Sequence, residues 1–128
     1  MRRLFTPVQA NRTLPLVRRI VADILSRARE LRAIGGSHGV ERLDELQGEI
    51  AALIAELEAI GCHYKDWGFE SGLVDFPSKI DGRRVLLCWR SDEDSITHYH
   101  GEHDGFAGRR PIPAHLLEDD LPEASART

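Results

Sequence analysis

At Gly61 the hydrophobic pattern of the chain changes its period, and that change divides the fold in two. Leu14, Val17, Val21, Ile24, Ala28 and Leu31 recur at steps of three and four, which places them along one face of a helix while Arg18, Arg19, Asp23, Arg29 and Glu30 face outward. Leu43, Leu46, Ile50, Leu53, Leu57 and Ile60 repeat the pattern. Gly35-Gly36 and Gly61 are the expected stops, and Ser37-His38-Gly39 the loop between the helices. Beyond Gly61 apolar residues come in short runs, Leu73-Val74-Asp75-Phe76 and Val85 to Trp89, on either side of Asp81-Gly82. That dipeptide tolerates positive φ and signals a two-residue β-hairpin. The pattern therefore predicts an α+β domain over residues 1–114: an antiparallel helical hairpin over 4–60, then a β-meander and glycine-rich loop over 61–112. Residues 115–128 read as an acidic, flexible tail.

The helix start has a chemical reason. In Thr6-Pro7-Val8-Gln9 the threonine hydroxyl can accept from the Gln9 amide, Gln9 can reach back, and Pro7 sits where no N–H is needed. Phe5 and Ala10 supply an apolar staple. Pro15 offers no N–H to the carbonyl of Asn11, so a kink or restart is expected there. Leu16, Ile20, Leu25 and Ile54 lie beside the main stripe, and such a hairpin must pack on the sheet or on a second copy. A homodimer through the hairpin is one expectation.

A third strand, Ile96 to His100, follows the polar turn Ser91-Asp92-Glu93-Asp94. With two residues in the first turn and four in the second, Val74, Trp89 and Ile96 stand abreast, and Phe76, Leu87 and His98 form the next row of the core face. Asp75, Cys88 and Thr97 then share the other face, with Arg90 and Tyr99 nearby. Pro77 places its strand at an edge or a bend.

Charge is unevenly spread. Residues 1–34 hold eight Arg against Asp23 and Glu30, whereas residues 35–60 hold Arg42 against six carboxylates. The two helices thus attract one another across the hairpin through weak, screened pairs. The net charge of −4 argues against a general attraction to nucleic acid or acidic membranes. The two cysteines, Cys62 and Cys88, are too few for a secreted disulfide scaffold. No window is apolar enough for a membrane span or a secretory leader, so the expected location is the cytoplasm.

The residues richest in chemistry are His98-Tyr99-His100-Gly101-Glu102-His103-Asp104. On a strand His98 and His100 project from one face, and a bend at Gly101 can return Glu102 and His103 to the same point, the arrangement that a transition-metal site needs. His98, His100, Glu102 and His103 are accordingly the candidate ligands, for zinc, iron, nickel or manganese. In the plainer alternative His98 fills the edge of the core and the others are solvated. Asp75 lies in an apolar strand and must be paired or protonated, with Arg90, Arg109 or the Lys65-Asp66 segment as partners. Asp75, Arg90 and Arg109 are the candidate cofactor-binding residues. Gly105-Phe106-Ala107-Gly108-Arg109-Arg110 is a glycine-bounded loop that offers guanidinium groups to a carboxylate or phosphate, with Phe106 expected to plug the core.

Phe5-Thr6 with Ala10-Asn11 and Leu14-Pro15, then Lys65-Asp66, Gly72 to Pro77, Leu87-Cys88-Trp89, His100 and Gly105 to Arg109 together resemble the prokaryotic domain of unknown function 2203 family, over nearly residues 4–112. The resemblance implies a free-standing bacterial or archaeal cytoplasmic protein and no particular reaction. It includes His100 but not His98 or His103, and an acidic residue is usual near the position of His103. It thereby favours a mixed His/carboxylate site over a three-histidine one. Two readings leave the sequence: a metal-binding protein or small metalloenzyme, and a non-catalytic interaction or oligomerisation module built on the hairpin.

Overall fold

The computed structural model describes residues 3–34 and 39–118. Two helices, α1 (Pro7–Ile34) and α2 (Val40–Ile60), precede a five-stranded antiparallel sheet of β1 (His63–Tyr64), β2 (Leu73–Ile80), β3 (Arg83–Arg90), β4 (His98–Gly101) and β5 (Arg110–Pro111). The strands lie side by side in chain order. Short 3-10 turns cover Phe106–Gly108 and Ala114–Leu116. The α+β expectation holds. The Gly35-Gly36 stop, Ser37-His38 and the tail from residue 119 fall outside the described residues.

The predicted capping box is present: Thr6 N–H donates to Gln9 Oε1 at 3.0 Å and Gln9 N–H to Thr6 Oγ1 at 3.1 Å. Gly61, at φ 111°, closes α2 by donating to the carbonyls of Leu57 and Glu58. Across the hairpin Arg27 meets Glu49 at 3.1 Å and Arg42 meets Glu30 at 2.8 Å, as the opposed charges require. The expected restart at Pro15 does not occur, and α1 runs through it. Pro15 lies on the exposed side while Leu14 and Val17 are anchored in the core, so tertiary packing carries the helix past the missing donor.

One face of the sheet builds the core with α1. Val74, Phe76, Leu87, Trp89 and Ile96 are fully buried there against Val17, Val21 and Ile24, and Leu57 of α2 closes the cluster. Phe5 meets Phe76 edge-on at 5.3 Å and donates its N–H to the Pro77 carbonyl. That bond explains Pro77: β1 pairs only with Val74 and Asp75, so at the proline β2 has no strand on that side. Ile20 is buried and Leu25 and Ile54 are half-buried against the core cluster, which leaves Leu16 exposed from the surplus apolar row. Asp81-Gly82 forms the two-residue turn as expected, with φ 54° and 77° and Ile80 opposite Arg83.

The β3–β4 register differs from expectation by one residue. Leu87 faces Tyr99 and Cys88 faces His98. The cause is the connection. Glu93 N–H donates to the Arg90 carbonyl and the Glu93 carboxylate accepts from Arg90 N–H, which closes a tight turn. Asn11 then clips Ile96 from both sides, its Oδ1 accepting the N–H at 2.8 Å and its Nδ2 donating to the carbonyl at 3.1 Å. Ladder pairing resumes only at His98. A slip of one residue exchanges the faces, so Tyr99 packs toward the core and His98 and His100 turn to the face of Asp75 and Cys88.

Candidate functional site

The outer face of the sheet, away from the helices, carries a small polar centre. Asp75 of β2 and His100 of β4 are 6 % and 4 % exposed, and His100 Nε2 stands 3.3 Å from Asp75 Oδ1. Strand alternation explains the meeting: Asp75 pairs with Cys88, His100 pairs with Leu86, and all four side chains rise from one face of three adjacent strands. The Asp75 partner is thus His100, not Arg90 or Arg109.

His100 Nδ1 lies 2.8 Å from the Gly101 carbonyl. A carbonyl only accepts, so this contact assigns the donor role to Nδ1–H and leaves Nε2 facing the carboxylate. Burial pushes the Asp75 carboxyl above the usual carboxylate range, with the His100 imidazole, Lys65 and His63 opposing it. Around the pair lies a pocket of about 250 Å³, lined by Lys65, Leu73 and Leu86 below and by Glu102, Gly105 and Phe106 from the glycine-rich loop.

The loop is held by its arginines. Arg109 reaches Glu93 at 2.6 Å, and the Arg109 and Arg90 guanidinium carbons lie 4.4 and 5.5 Å from the Phe106 ring centroid. Arg90 also pairs with Asp92 at 2.6 Å. Arg90 and Arg109 therefore secure the cover of the pocket and do not join Asp75 in a common ligand set. Phe106 is half-buried over the outer face instead of plugging the main core. On the other flank Asp66 Oδ2 accepts from the N–H groups of Glu70, Ser71 and Gly72 at 2.8, 2.7 and 2.8 Å. Burial alone would raise the Asp66 carboxyl, but these three donors hold it below its ordinary value. That clip fixes the entry of β2 beside Lys65.

Of the four proposed metal ligands, His100 is in the centre and Glu102 at its rim. His98 shares their face but bonds Thr97 Oγ1 at 2.8 Å, and His103 is exposed outside the pocket lining. Among the described residues no group of three or more His, Cys, Asp or Glu is placed to hold a metal ion. Cys62 is buried with its thiol toward the Leu57 carbonyl, and His63 contacts Glu58 at 3.2 Å, so neither completes the set. Sequence reasoning missed Lys65 and Leu86 as pocket residues; the lysine had a signal, since Lys65-Asp66 was already singled out. Burial raises the Cys88 thiol to about 11, Arg109 pulling the other way and Asp75 adding to the rise, which agrees with an unreactive side chain.

A family model described as an uncharacterized conserved protein (DUF2203) matches residues 3–112. No curated protein and no solved structure matches the chain.

Proposed function

Since the chain belongs to the family of uncharacterized conserved proteins DUF2203, a family description that names no reaction, we propose from its own residues that it binds a divalent transition metal at the outer-face pocket. The ligands are His100 Nε2 and Asp75, with water completing the shell and Glu102 swinging in from the rim as a second oxygen donor. One observation carries the reading: a buried imidazole whose Nδ1 proton is committed to a backbone carbonyl, and whose Nε2 faces a buried carboxylate inside a pocket. A metal-ligating histidine is commonly oriented in that way. Two donors bound to one tetrahedral ion at about 2.0–2.1 Å stand roughly 3.3–3.4 Å apart, and Nε2 and Oδ1 are separated by 3.3 Å. The mixed nitrogen and oxygen set suits zinc, iron, nickel or manganese, and a bound ion would supply Lewis acidity to a molecule held under Phe106.

The test is elemental analysis and calorimetric titration of protein purified without a polyhistidine tag. One ion per chain is expected, lost in His100→Ala and Asp75→Asn and kept in His98→Ala and His103→Ala. Absence of saturable binding, or binding unchanged by His100→Ala, overturns it.

The 3.3 Å contact favours a second reading, in which the pair works as a metal-free acid–base centre and passes its shared proton to a bound molecule. Nitrogen-15 shifts of His100 separate the two: zinc addition removes the Nε2 proton signal in the first and leaves it in the second. Self-association through the hairpin has less behind it, because the core takes up most of the surplus apolar row and leaves only Leu16 of it exposed. Nucleic-acid binding by α1 is likewise weakened, since Arg18 bonds the carbonyls of Glu93 and Asp94 and Arg27 pairs with Glu49.

A further inference from the structure

At the tip of the β2–β3 hairpin three guanidinium groups gather around one hollow. Arg83, Arg84 and Arg110 line a concave pocket of about 400 Å³ together with Ile80, Val85, Tyr99 and the Gly101 backbone. No helical residue contributes. The register accounts for the grouping. Arg83 stands two residues before Val85 on the core face of β3, Val85 faces Gly101, and Tyr99 faces Arg110, so three strands deliver Arg83, Tyr99 and Arg110 to one end of one face. Arg84 joins from the hairpin end.

These arginines differ from those that brace the fold. Arg27, Arg42, Arg90 and Arg109 all hold carboxylates, and Arg18 and Arg32 hold backbone carbonyls. Among the described residues Arg83, Arg84 and Arg110 make no ion pair and no side-chain hydrogen bond. Two carboxylates also line the pocket, and neither pairs with the arginines: Asp104 accepts from the Gly101 N–H at 3.2 Å, and Asp81 occupies the positive-φ turn position. The lining thus sets three positive charges against two negative ones, and the unpaired guanidinium groups keep their donors for an anion.

We propose that this pocket binds a small, multiply charged oxyanion, a phosphate ester or polycarboxylate. Guanidinium groups approaching from three strands give planar, paired donors for its oxygens, and the apolar floor of Ile80, Val85 and Tyr99 accommodates a short carbon skeleton. The concave, half-open shape and the flanking Asp81 and Asp104 favour a small molecule over an extended polyanion. The site lies on the core face of the sheet, distinct from the Asp75–His100 centre on the outer face, and does not depend on it.

The experiment titrates inorganic pyrophosphate into the intact chain at about 50 mM sodium chloride, where screening is weak, and follows the arginine Nε–H resonances. Saturable shifts at Arg83, Arg84 and Arg110 are expected, with affinity at least about tenfold lower in Arg83→Ala and in Arg110→Ala, equivalent to about 1.4 kcal/mol each. Both positions are exposed, so the thermal midpoint of each variant should match the parent. Arg19→Ala on α1 serves as control and should bind as the parent does. No saturable shift, shifts that Arg19→Ala reduces equally, or a single-stranded oligonucleotide bound more tightly than pyrophosphate at the same three residues would each overturn the proposal.

Discussion

The thiols show how burial alone sets a side chain's chemistry. Cys62 is wholly buried, and removal from water raises its thiol to about 12, while Cys88 is raised to about 11. An acid whose folded value lies above its unfolded one is stabilised by keeping its proton. That contribution is complete below about pH 8.5, the ordinary thiol value, and is lost as pH rises toward the folded value. The thermal midpoint should therefore fall between about pH 9 and 11, and fall less steeply in a Cys62→Ala/Cys88→Ala double variant. At neutral pH a thiol reagent should label neither residue until denaturant is added; rapid labelling of the native protein would contradict the burial argument. His100 illustrates the complementary point. Its residue type marked it as a candidate, but its role follows from where Gly101 and Asp75 stand, and that position depends on a long-range pairing no local pattern encodes.

Elements differ in how openly the sequence declares them. The Thr6–Gln9 box, the Gly61 stop and the Asp81-Gly82 turn are local chemistry, legible because each is completed within a few residues. Thr6→Ala should cost about 1 kcal/mol by urea denaturation, and a loss near zero would mean that Pro7 and Phe5 alone fix the helix start. Continuity of α1 through Pro15 and the short strands β1 and β5 were not legible, because all three depend on partners distant in the chain. The register of β4 failed for a related reason. Turn length was read from the polar residues Ser91 to Asp94, whereas the clip between Asn11 and Ile96 extends the connection to Thr97. One residue of error moved both histidines between faces, so the meeting of His100 with Asp75 was not legible although each had been singled out by its residue type. The ligand role of His98 and His103 drew on proximity in sequence, which the bend after Gly101 does not convert into proximity in space.

For the molecule as a whole, helices and sheet meet at points that admit no extra atom. Gly72 has φ 70°, and a Cβ there would sit 2.7 Å from Val21 Cγ1 on α1 and 3.2 Å from Ser91 Cβ. Gly72→Ala should destabilise the fold by about 1–3 kcal/mol through backbone strain and overpacking, measurable by chemical denaturation, whereas Gly48→Ala on the open side of α2 meets nothing and should be neutral or slightly stabilising. Because the same glycine supplies a donor to Asp66, the substitution should also disturb the pocket beside Lys65. Among the described residues no helix is long and apolar enough to cross a membrane. The strand order has a further consequence. Every strand lies beside the one before it in the chain, so none has to be threaded between two already in place. During synthesis on the ribosome the two helices emerge first, with their apolar stripe still wet. The order of synthesis thus matches the order of the sheet, and the stripe cannot be fully dry until β3 and the Ile96 segment have left the exit tunnel, since both belong to the core that covers it.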